Sequence, residues 1–387
     1  MTAAVAAAAQ LEGKRLSGVR LLFIANVDWF LLSHRGHLVR RAVQEGAEVE
    51  VWCGDTGRMA DIEALGASVR ALPLRRGGLH LHEEVRLLCV LTARVGRHRP
   101  DVVQNVSVKP VLYGTLAARL WRTPTIVNSV SGFGYALEGG DRPAWLRHLV
   151  LAGYRLILRS SRVMTVFQNG EAAEQFVGRG IVKAERTSLV RGSGVDLEVF
   201  SALPEPPGPP VVLFPSRMLW DKGLREFVQA ARLVRAERRD VRFVLVGAPD
   251  PENRASASER DLQDIVAEGC CEWWGHRSDM AEVLGQCHVV VLPSYHEGLP
   301  KVLVEAAAVG RVVVTSDIPG CRAALTHPSA GRLVPVRDAA AIAAAVIGWL
   351  DDPAERRRAA RAAVEGAAAF ATPVIQEQFL ELWGARR

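Results

Sequence analysis

The chain has 387 residues, 49% of them hydrophobic and 23% charged, a composition typical of a globular protein with two or three domains. No apolar run approaches the roughly 18 residues that cross a bilayer, which argues against a membrane span. The charge is uneven, because residues 1–200 carry 26 Lys and Arg against 18 Asp and Glu, whereas 201–387 carry 22 against 24. A basic first half favours an anionic partner or membrane face, or is a solvated surface.

The Ala-rich segment 1–17 has no basic residue ahead of its apolar part, so we expect a loose leader rather than a signal peptide. Short β-branched runs then alternate with helical patterns. Strands are predicted at 18–26, 47–54, 101–107 and 123–132, and helices at 31–46 and 113–122. This alternation indicates parallel strands joined by crossover helices.

The proline-rich segment PEPPGPP (204–210) is predicted to be a linker, because it can continue neither a helix nor a central strand. Beyond it, strands are predicted at 211–217, 241–248, 288–294 and 311–317, and helices at 223–237 and 301–310. We therefore predict two α/β domains, 18–203 and 211–373, each a doubly wound, Rossmann-like parallel sheet, facing one another across a cleft. The last helix, within 374–387, is expected to pack back on the first domain.

The cysteines show no CxxC or Cys/His spacing of a metal site. Most stand among apolar residues, so we expect reduced core side chains of a cytosolic protein. They are Cys53, Cys89, Cys270, Cys271, Cys287 and Cys321.

The stretch FPSRMLWDKG (214–223) places Arg217 and Lys222 in a loop between a strand and the helix that begins near Gly223. Loop amides and a helix N-terminus form an anion site, and two cations add neutralising charge, which suits a diphosphate. It is not a Walker loop, because GxxxxGK[ST] is missing. The alternative is that both side chains are solvated.

The stretch YHEGLPKVLVEAAAVG (295–310) carries two glutamates eight positions apart. Glu297 stands in a Gly/Pro turn after a strand, at the carboxyl edge of the predicted sheet. Glu305 stands inside an apolar helix, where a carboxylate is costly unless it is paired. A ligand rich in hydroxyl groups would pair it; an exposed helical glutamate is the alternative.

These stretches carry a family resemblance. EGLPKVLVE resembles the E-x7-E motif of retaining GT-B glycosyltransferases, specifically the GT4 family, and PSRMLWDKGLREFVQAARLV resembles its diphosphate-binding segment. FQNGEAAEQF and LVRGSGVDLEVF are similar to the same family. With WFLLSHRGHL and SVSGFGYAL they are similar to its bacterial branch that builds O-antigen and capsule repeat units. The resemblance covers about residues 20–385.

The resemblance implies roles for the matching residues. Arg217 and Lys222 would bind the donor diphosphate, and Glu305 would hold the ribose hydroxyls. Glu297 would contact hydroxyls of the donor sugar. Further donor-binding residues would be Gly298, Leu299, Pro300, Lys301 and Trp274. Trp274, in EWWGH (272–276), would line the uracil pocket, or it serves packing alone.

The family reaction retains the anomeric configuration, and the leaving diphosphate helps to deprotonate the acceptor hydroxyl. Catalysis is then positioning and charge stabilisation, without an enzyme nucleophile. The sequence contains no Asp-x-Asp, which fits a metal-free site where Arg217 and Lys222 do a metal's electrostatic work. No cofactor is expected besides the nucleotide-sugar co-substrate.

Acceptor contacts are expected from the first domain. Asn26, Asp28 and His34 follow its first strand, and Lys109 stands at a strand end. Asp28 could instead cap the following helix, and Lys109 could be an exposed loop lysine. Many members of the family carry a His after a neighbouring strand; TIVNSVSGFGYAL has none, which leaves the sugar preference open.

The segment 142–162 mixes apolar residues with five arginines, Arg142, Arg147, Arg155, Arg159 and Arg162. A basic amphipathic helix with a tryptophan suits an anionic bilayer surface. A crossover helix packed on the sheet is the alternative, and both can hold for different faces.

The sequence thus predicts a retaining, metal-independent glycosyltransferase, peripheral at the inner face of the cytoplasmic membrane. It would move a hexose or N-acetylhexosamine, from a donor that is expected to be UDP-linked, to a lipid-diphosphate-linked saccharide; no nucleic-acid partner is expected. The alternatives are a non-hydrolysing UDP-sugar epimerase of the same fold and an inactive sugar-nucleotide-binding subunit.

Overall fold

The computed structural model describes residues 14–74, 81–130 and 144–384, except the side chains of 144–147 and 149–150. The chain divides into two compact units. Unit 1 comprises Met1–Val190 and Ile375–Arg387, and unit 2 comprises Arg191–Val374. Most of the predicted leader and most of SVSGFGYAL lie outside the described residues.

Unit 1 is built on a parallel sheet in the order β3-β2-β1-β4-β5-β6-β7. The strands are β1 (Arg20–Val27), β2 (Glu48–Gly54), β3 (Ser68–Ala71), β4 (Val102–Val106), β5 (Thr125–Val130), β6 (Val163–Phe167) and β7 (Thr187–Leu189). The helices are α1 (Asp28–Gln44), α2 (Met59–Glu63), α3 (Leu81–His98), α4 (Thr115–Leu120), α5 (Ala144–Leu158) and α6 (Gly170–Gly178), with a π-helical turn at Pro110–Gly114. Two apolar clusters cover this sheet.

Unit 2 is built on a parallel sheet in the order β10-β9-β8-β11-β12-β13. The strands are β8 (Val211–Pro215), β9 (Arg242–Val246), β10 (Glu272–Trp273), β11 (Val289–Leu292), β12 (Val312–Ser316) and β13 (Gly331–Val334). The helices are α7 (Leu224–Glu237), α8 (Glu259–Ala267), α9 (Met280–Gly285), α10 (Lys301–Val309), α11 (Pro319–Ala324), α12 (Ala339–Asp351) and α13 (Pro353–Ala367). Residue Thr372 begins α14 (Thr372–Gly384).

Both sheets confirm the predicted fold class. Strands β4 and β5 of unit 1 and β11 and β12 of unit 2 are buried along their whole length; in β11, Val289 to Leu292 are at most 1% exposed. Strands covered on both faces read as continuous apolar runs, which is why VVVL and VVVTS were recognisable in the sequence.

The end of the predicted leader is not loose. Leu16 is completely buried in the core of unit 1, and its N–H donates to the Glu45 carbonyl. An apolar side chain that can be buried so fully is held by the hydrophobic effect, so ordered packing begins before residue 18.

The predicted linker 204–210 lies within unit 2, because the boundary falls between Val190 and Arg191. The buried guanidinium of Arg311 donates to the carbonyls of Leu203 and Pro204. Arg356 forms a bidentate ion pair with Glu205. Prolines prevent helix and ladder formation, but the segment still offers the Pro204 carbonyl and the Glu205 carboxylate, which these two buried cations use.

Helix α14 ends in unit 1, where Ile375, Phe379, Leu380 and Trp383 belong to the buried core. The Trp383 indole N–H donates to Gln104 Oε1 on β4. The last turns of the chain thus complete the cover of the unit 1 sheet.

All six cysteines are free, five of them buried and Cys89 exposed. Among the described residues, no helix combines the length and apolar character needed to cross a bilayer.

Candidate active site

The loops that follow β8, β9 and β11 meet at the carboxyl edge of the unit 2 sheet, because these strands are neighbours. The loop after β8 ends in a 3-10 turn, Trp220–Lys222, and Gly223. Gly223 has φ 79°, and a Cβ there would lie 2.3 Å from the Pro293 carbonyl oxygen. Only glycine lets the loops after β8 and β11 approach this closely.

This approach brings Lys222 to Glu297. The Lys222 ammonium lies 2.6 Å from Glu297 Oε1, and the side chains are 17% and 13% exposed. The Ser294 hydroxyl donates to the same carboxylate oxygen over 2.9 Å. Two of the predicted donor-site residues therefore form one largely buried ion pair.

The Glu297 turn is pressed against the start of α11. A Cβ at Gly320 would lie 2.2 Å from the Glu297 carbonyl oxygen and 2.8 Å from that of Gly298. Cys321 lies behind this contact; burial, with the Glu297 charge nearby, raises the pKa of its thiol to about 12. That thiol is therefore a neutral packing group beside the ion pair.

Arg217 enters a separate ion pair. Its Nη1 lies 2.6 Å from Asp250 Oδ2, on the loop after β9. That loop approaches β8 at Gly247, where a Cβ would lie 1.9 Å from the Ser216 carbonyl oxygen. Arg217 and Lys222 thus leave the same loop towards different carboxylates.

Glu305 is buried in α10, only 6% exposed, as its apolar neighbours suggested. Its partner is Lys301, one turn earlier, whose ammonium lies 2.9 Å from Glu305 Oε1. The exposed-glutamate alternative is therefore wrong. The Lys301 side chain is 32% exposed, so the pair opens towards solvent on the lysine side.

The remaining donor-site candidates pack around these pairs. Leu299 is buried against Gly192, and Pro300 is the residue before the first turn of α10. Trp274 is half-buried against the apolar core, and its indole N–H donates to Glu272 Oε2 over 3.2 Å. These contacts agree with the alternative that Trp274 serves packing, and its indole N–H has Glu272 as a polar partner.

Asp28 in unit 1 is turned inward. It is fully buried, and its carboxylate accepts N–H bonds from Trp29, Thr56 and Arg58 and the Thr56 hydroxyl. Burial would raise its pKa, but these hydrogen bonds outweigh burial and lower it. Asp28 therefore anchors the loop after β2. Because both of its carboxylate oxygens already accept hydrogen bonds within unit 1, we do not assign it an acceptor contact.

Asn26 and His34 have different surroundings. Asn26 Oδ1 is buried without a hydrogen-bond partner among the described residues. The His34 ring stacks on Phe30 with centroids 4.2 Å apart, and its Nδ1 lies 2.6 Å from the Ser33 hydroxyl.

Lys109 is not an exposed loop lysine. Its ammonium lies 2.6 Å from Glu84 Oε1, and the two side chains are mostly buried. Burial, with a hydrogen bond to Glu84, raises the pKa of the neighbouring Tyr113. Lys109 stands just before the π-helical turn after β4, a local geometry that often marks functional segments.

Sequence reasoning missed Asp250, Ser294 and Gly320. Asp250 and Ser294 follow strands, in VLVGAPD and VVVLPS, and that position was a usable signal. Gly320 gave none, because its close approach to Glu297 exists only in the fold. Among the described residues, no group of three or more His, Cys, Asp or Glu side chains could hold a metal ion.

The fold also occurs in solved structures. Anabaena HepE in complex with UDP and glucose matches with a TM-score of 0.74 and 16% identity, over 94% of this chain and 98% of that chain. The architecture is that of the glycosyltransferases with the GT-B fold.

Family comparison narrows this class. "Glycosyl transferase 4-like domain" matches residues 33–193, and "Glycosyl transferases group 1" matches residues 209–352. A D-inositol 3-phosphate glycosyltransferase of an Arthrobacter species is 32% identical over 78% of this chain and 74% of its own length. The chain belongs to the group 1, or GT4, glycosyltransferase family.

One relative spans nearly the whole chain. It is the N,N'-diacetylbacillosaminyl-diphospho-undecaprenol alpha-1,3-N-acetylgalactosaminyltransferase of Campylobacter jejuni. It is 25% identical over 94% of this chain and 98% of its own length.

Proposed function

We propose that this glycosyltransferase moves a hexose or N-acetylhexosamine from a UDP-linked donor to a lipid-diphosphate-linked saccharide in bacterial surface-polysaccharide assembly. The observation that carries the proposal is the Lys222–Glu297 pair at the strand ends of unit 2. The full-length similarity to the Campylobacter transferase supports the choice of acceptor.

The charges of the pair suit the two ends of a sugar nucleotide. An ammonium is a point charge for a diphosphate, and a carboxylate accepts hydrogen bonds from sugar hydroxyls. Because Lys222 and Glu297 neutralise one another, the pair as a whole carries no net charge. The donor would replace the pair by two contacts of opposite sign, Lys222 to phosphate and Glu297 to hydroxyl.

Arg217 and Glu305 would extend the same scheme. Arg217 is paired with Asp250 but is still 41% exposed in its side chain, so its remaining donors can reach a phosphate. Glu305 would accept the ribose hydroxyls after Lys301 swings outward. Each step exchanges one charged partner for another, which avoids leaving a buried charge unpaired.

We propose a retaining, metal-independent reaction. The bond between the anomeric carbon and the diphosphate oxygen breaks, and the acceptor oxygen attacks from the same face. The acceptor proton passes to the departing diphosphate, so no side chain forms a covalent intermediate. Lys222 and Arg217 stabilise the charge that develops on the leaving group. Asn26, His34 and Lys109 of unit 1 are the proposed acceptor-side residues.

We place the enzyme at the inner face of the cytoplasmic membrane, where a lipid-linked acceptor and a nucleotide sugar are both available. Helix α5 supports this in unit 1. Its Tyr154, Ile157 and Leu158 are buried in the core, while Leu156 is 73% exposed. One face of α5 therefore packs on the sheet, as predicted for a crossover helix, while the side that carries Leu156 is exposed.

The outer face continues on α4. Leu120 is 64% exposed there, and the Arg119 guanidinium donates to the Leu156 carbonyl, which joins the two helices. Arg155 and Arg159 are exposed beside them. Apolar side chains flanked by arginines favour an anionic bilayer surface, with ~1 kcal/mol for each basic residue. We call Leu120, Leu156 and these arginines the α4–α5 face.

A donor and acceptor panel tests the proposal. The enzyme is incubated with UDP-N-acetylgalactosamine, UDP-galactose, UDP-glucose or GDP-mannose, with and without an undecaprenyl-diphosphate saccharide. Transfer of a sugar from one UDP donor to the lipid, with retention at the anomeric carbon, is the expected result. Epimerisation of the donor, or UDP binding without any turnover, would replace the proposal by one of the two alternatives.

A further inference from the structure

Tyr295 links the two loops that carry Lys222 and Glu297. Its N–H donates to the carbonyl of Asp221, the residue before Lys222, over 2.9 Å. Its hydroxyl donates to Glu226 Oε1, in the first turn of α7, over 2.8 Å. One residue thus contacts the loop after β8 through its backbone and the next helix through its side chain.

The side-chain contact is buried and charged. Glu226 is 6% exposed, and its other oxygen, Oε2, is buried without a hydrogen-bond partner among the described residues. The Tyr295 hydroxyl is therefore the hydrogen-bond donor that the structure provides to this carboxylate. Burial, and then the Glu226 carboxylate, raises the pKa of Tyr295, so the phenol keeps its proton.

The ring of Tyr295 also makes a cation–π contact with Arg337. The Arg337 guanidinium carbon lies 4.6 Å from the ring centroid. Arg337 has φ 62°, an uncommon conformation for a residue with a side chain. This cation–π contact limits the orientations that the ring, and with it the hydroxyl bonded to Glu226, can take.

The ion pair itself cannot hold the loops during turnover. In the proposed function, Lys222 turns to the diphosphate and Glu297 to the sugar, so their 2.6 Å contact opens. The contacts of Tyr295 involve neither charge, so donor binding does not require them to break. Besides the close approach of Gly223 to Pro293, Tyr295 therefore gives these loops a hydrogen-bonded connection that does not use the charges of the ion pair.

We propose that Tyr295 and Glu226 are positioning residues that hold Lys222 and Glu297 in register while the donor occupies their charges. This inference rests on the proposed function. Tyr295 acts through the loop that bears Glu297, and Glu226 acts through the helix that follows Lys222. The hydrogen bond between them is called the Tyr295 clamp.

Tyr295→Phe is the direct test, because it removes one hydroxyl and keeps the ring beneath Arg337. Turnover is expected to fall roughly tenfold, as the loss of a hydrogen bond to a charged group and a small misplacement would cause. Glu226→Gln keeps an acceptor oxygen and is expected to retain most turnover. Tyr154→Phe, at a buried tyrosine of unit 1, is the matched control.

Two readouts separate positioning from simple destabilisation. Calorimetry should show weaker UDP binding in Tyr295→Phe and unchanged UMP binding. The reason is that Lys222 is proposed to bind the diphosphate, which UMP lacks. In a double-mutant cycle, Tyr295→Phe should add little to the loss caused by Glu226→Ala, because both remove the same contact. Melting temperatures measured alongside identify any variant that has merely lost stability.

The outcomes distinguish the clamp from the site it serves. Normal turnover and UDP affinity in Tyr295→Phe, with both reduced in Lys222→Ala, would overturn the clamp alone. Additive losses in the double mutant would also overturn it. If Lys222→Ala itself keeps normal UDP affinity and turnover, the proposed function fails, and the clamp fails with it.

Discussion

The Lys222 ammonium lies 2.6 Å from Glu297 Oε1, although the two residues stand 75 positions apart in the chain. Each is largely buried, and burying either charge alone would be costly. The pair is neutral as a whole, yet each member can turn to a ligand group of opposite charge. It is therefore both a structural contact between two loops and the centre of the proposed donor site.

Loss of the Lys222 charge should abolish most catalysis. Lys222→Ala removes the proposed partner of the leaving diphosphate and leaves the Glu297 carboxylate with the Ser294 hydroxyl but without its cation. We expect turnover to fall ~10²–10³-fold, as the loss of one preorganised charge does. Arg217→Ala should show a comparable loss. Initial rates of transfer measure both effects.

The control is a lysine outside the site. Lys183 is 51% exposed in unit 1, and its ammonium lies 3.7 Å from Glu185. Lys183→Ala should retain normal turnover. Equal rates for the Lys183 and Lys222 variants would refute the role of Lys222.

Replacing Gly320 by alanine should displace the turn that carries Glu297. The Cβ of Gly320→Ala would lie 2.2 Å from the Glu297 carbonyl oxygen, so the Glu297 turn has to move. A displaced catalytic loop should lower turnover roughly tenfold or more. Gly178→Ala is the control, because a Cβ there meets no atom within 4 Å. Unchanged kinetics in Gly320→Ala would mean that the turn tolerates displacement.

Protonation of Asp28 should lower the stability of unit 1 at acidic pH. Its folded-state pKa is lowered from the usual 3.8, so its contribution is present above that pH and is lost as pH falls through the folded value. Asp28→Asn would place an amide N–H₂ against backbone donors and should cost about 2–3 kcal/mol at neutral pH. The unfolding free energy of the variant should fall less steeply below about pH 4. Denaturant titrations over the acid range measure this; parallel pH dependences would contradict it.

The α4–α5 face should bind anionic membranes. Replacing Leu120 and Leu156 by Ser removes two exposed apolar side chains, which should reduce sedimentation with phosphatidylglycerol vesicles roughly tenfold or more. Leu233→Ser, at an exposed leucine of α7, should bind as well as the original protein. High salt should weaken binding, since the arginines act electrostatically. Equal binding by all three proteins would rule out this face.

Chelation should leave the enzyme active. In the proposed mechanism Lys222 and Arg217 supply the positive charge that a divalent cation would otherwise supply. Transfer assays with excess EDTA should therefore match untreated assays. A loss of activity that Mg²⁺ or Mn²⁺ restores would show that the diphosphate requires a metal.

The elements of this protein were predictable from local patterns. β11 and β12 read as buried strands because they are continuous valine-rich runs, and α10 begins where Pro300 ends the preceding turn. Turn chemistry and periodicity act over a few residues, so a sequence displays them directly. The buried carboxylate of Glu305 was predictable for the same reason.

Partners distant in the chain were not predictable. The assignment of segment 204–210 as a linker followed its prolines, but Arg311 and Arg356, more than a hundred positions away, bind Pro204 and Glu205 within unit 2. Asp28 was predicted to be an acceptor contact or a helix cap, while three of its four hydrogen-bond donors come from the loop at Thr56 and Arg58. Local composition carries no record of such contacts.

The sequence by itself determined two parallel-sheet α/β units and the family motif, and it pointed to Arg217, Lys222, Glu297 and Glu305 as candidate donor-site residues. Only the tertiary structure decided their partners: Lys222 with Glu297, Arg217 with Asp250, and Tyr295 with Glu226. The reason is that β8 lies between β9 and β11, an order set by crossover connections and packing on both faces of the sheet. That order brings loops together which no local pattern relates.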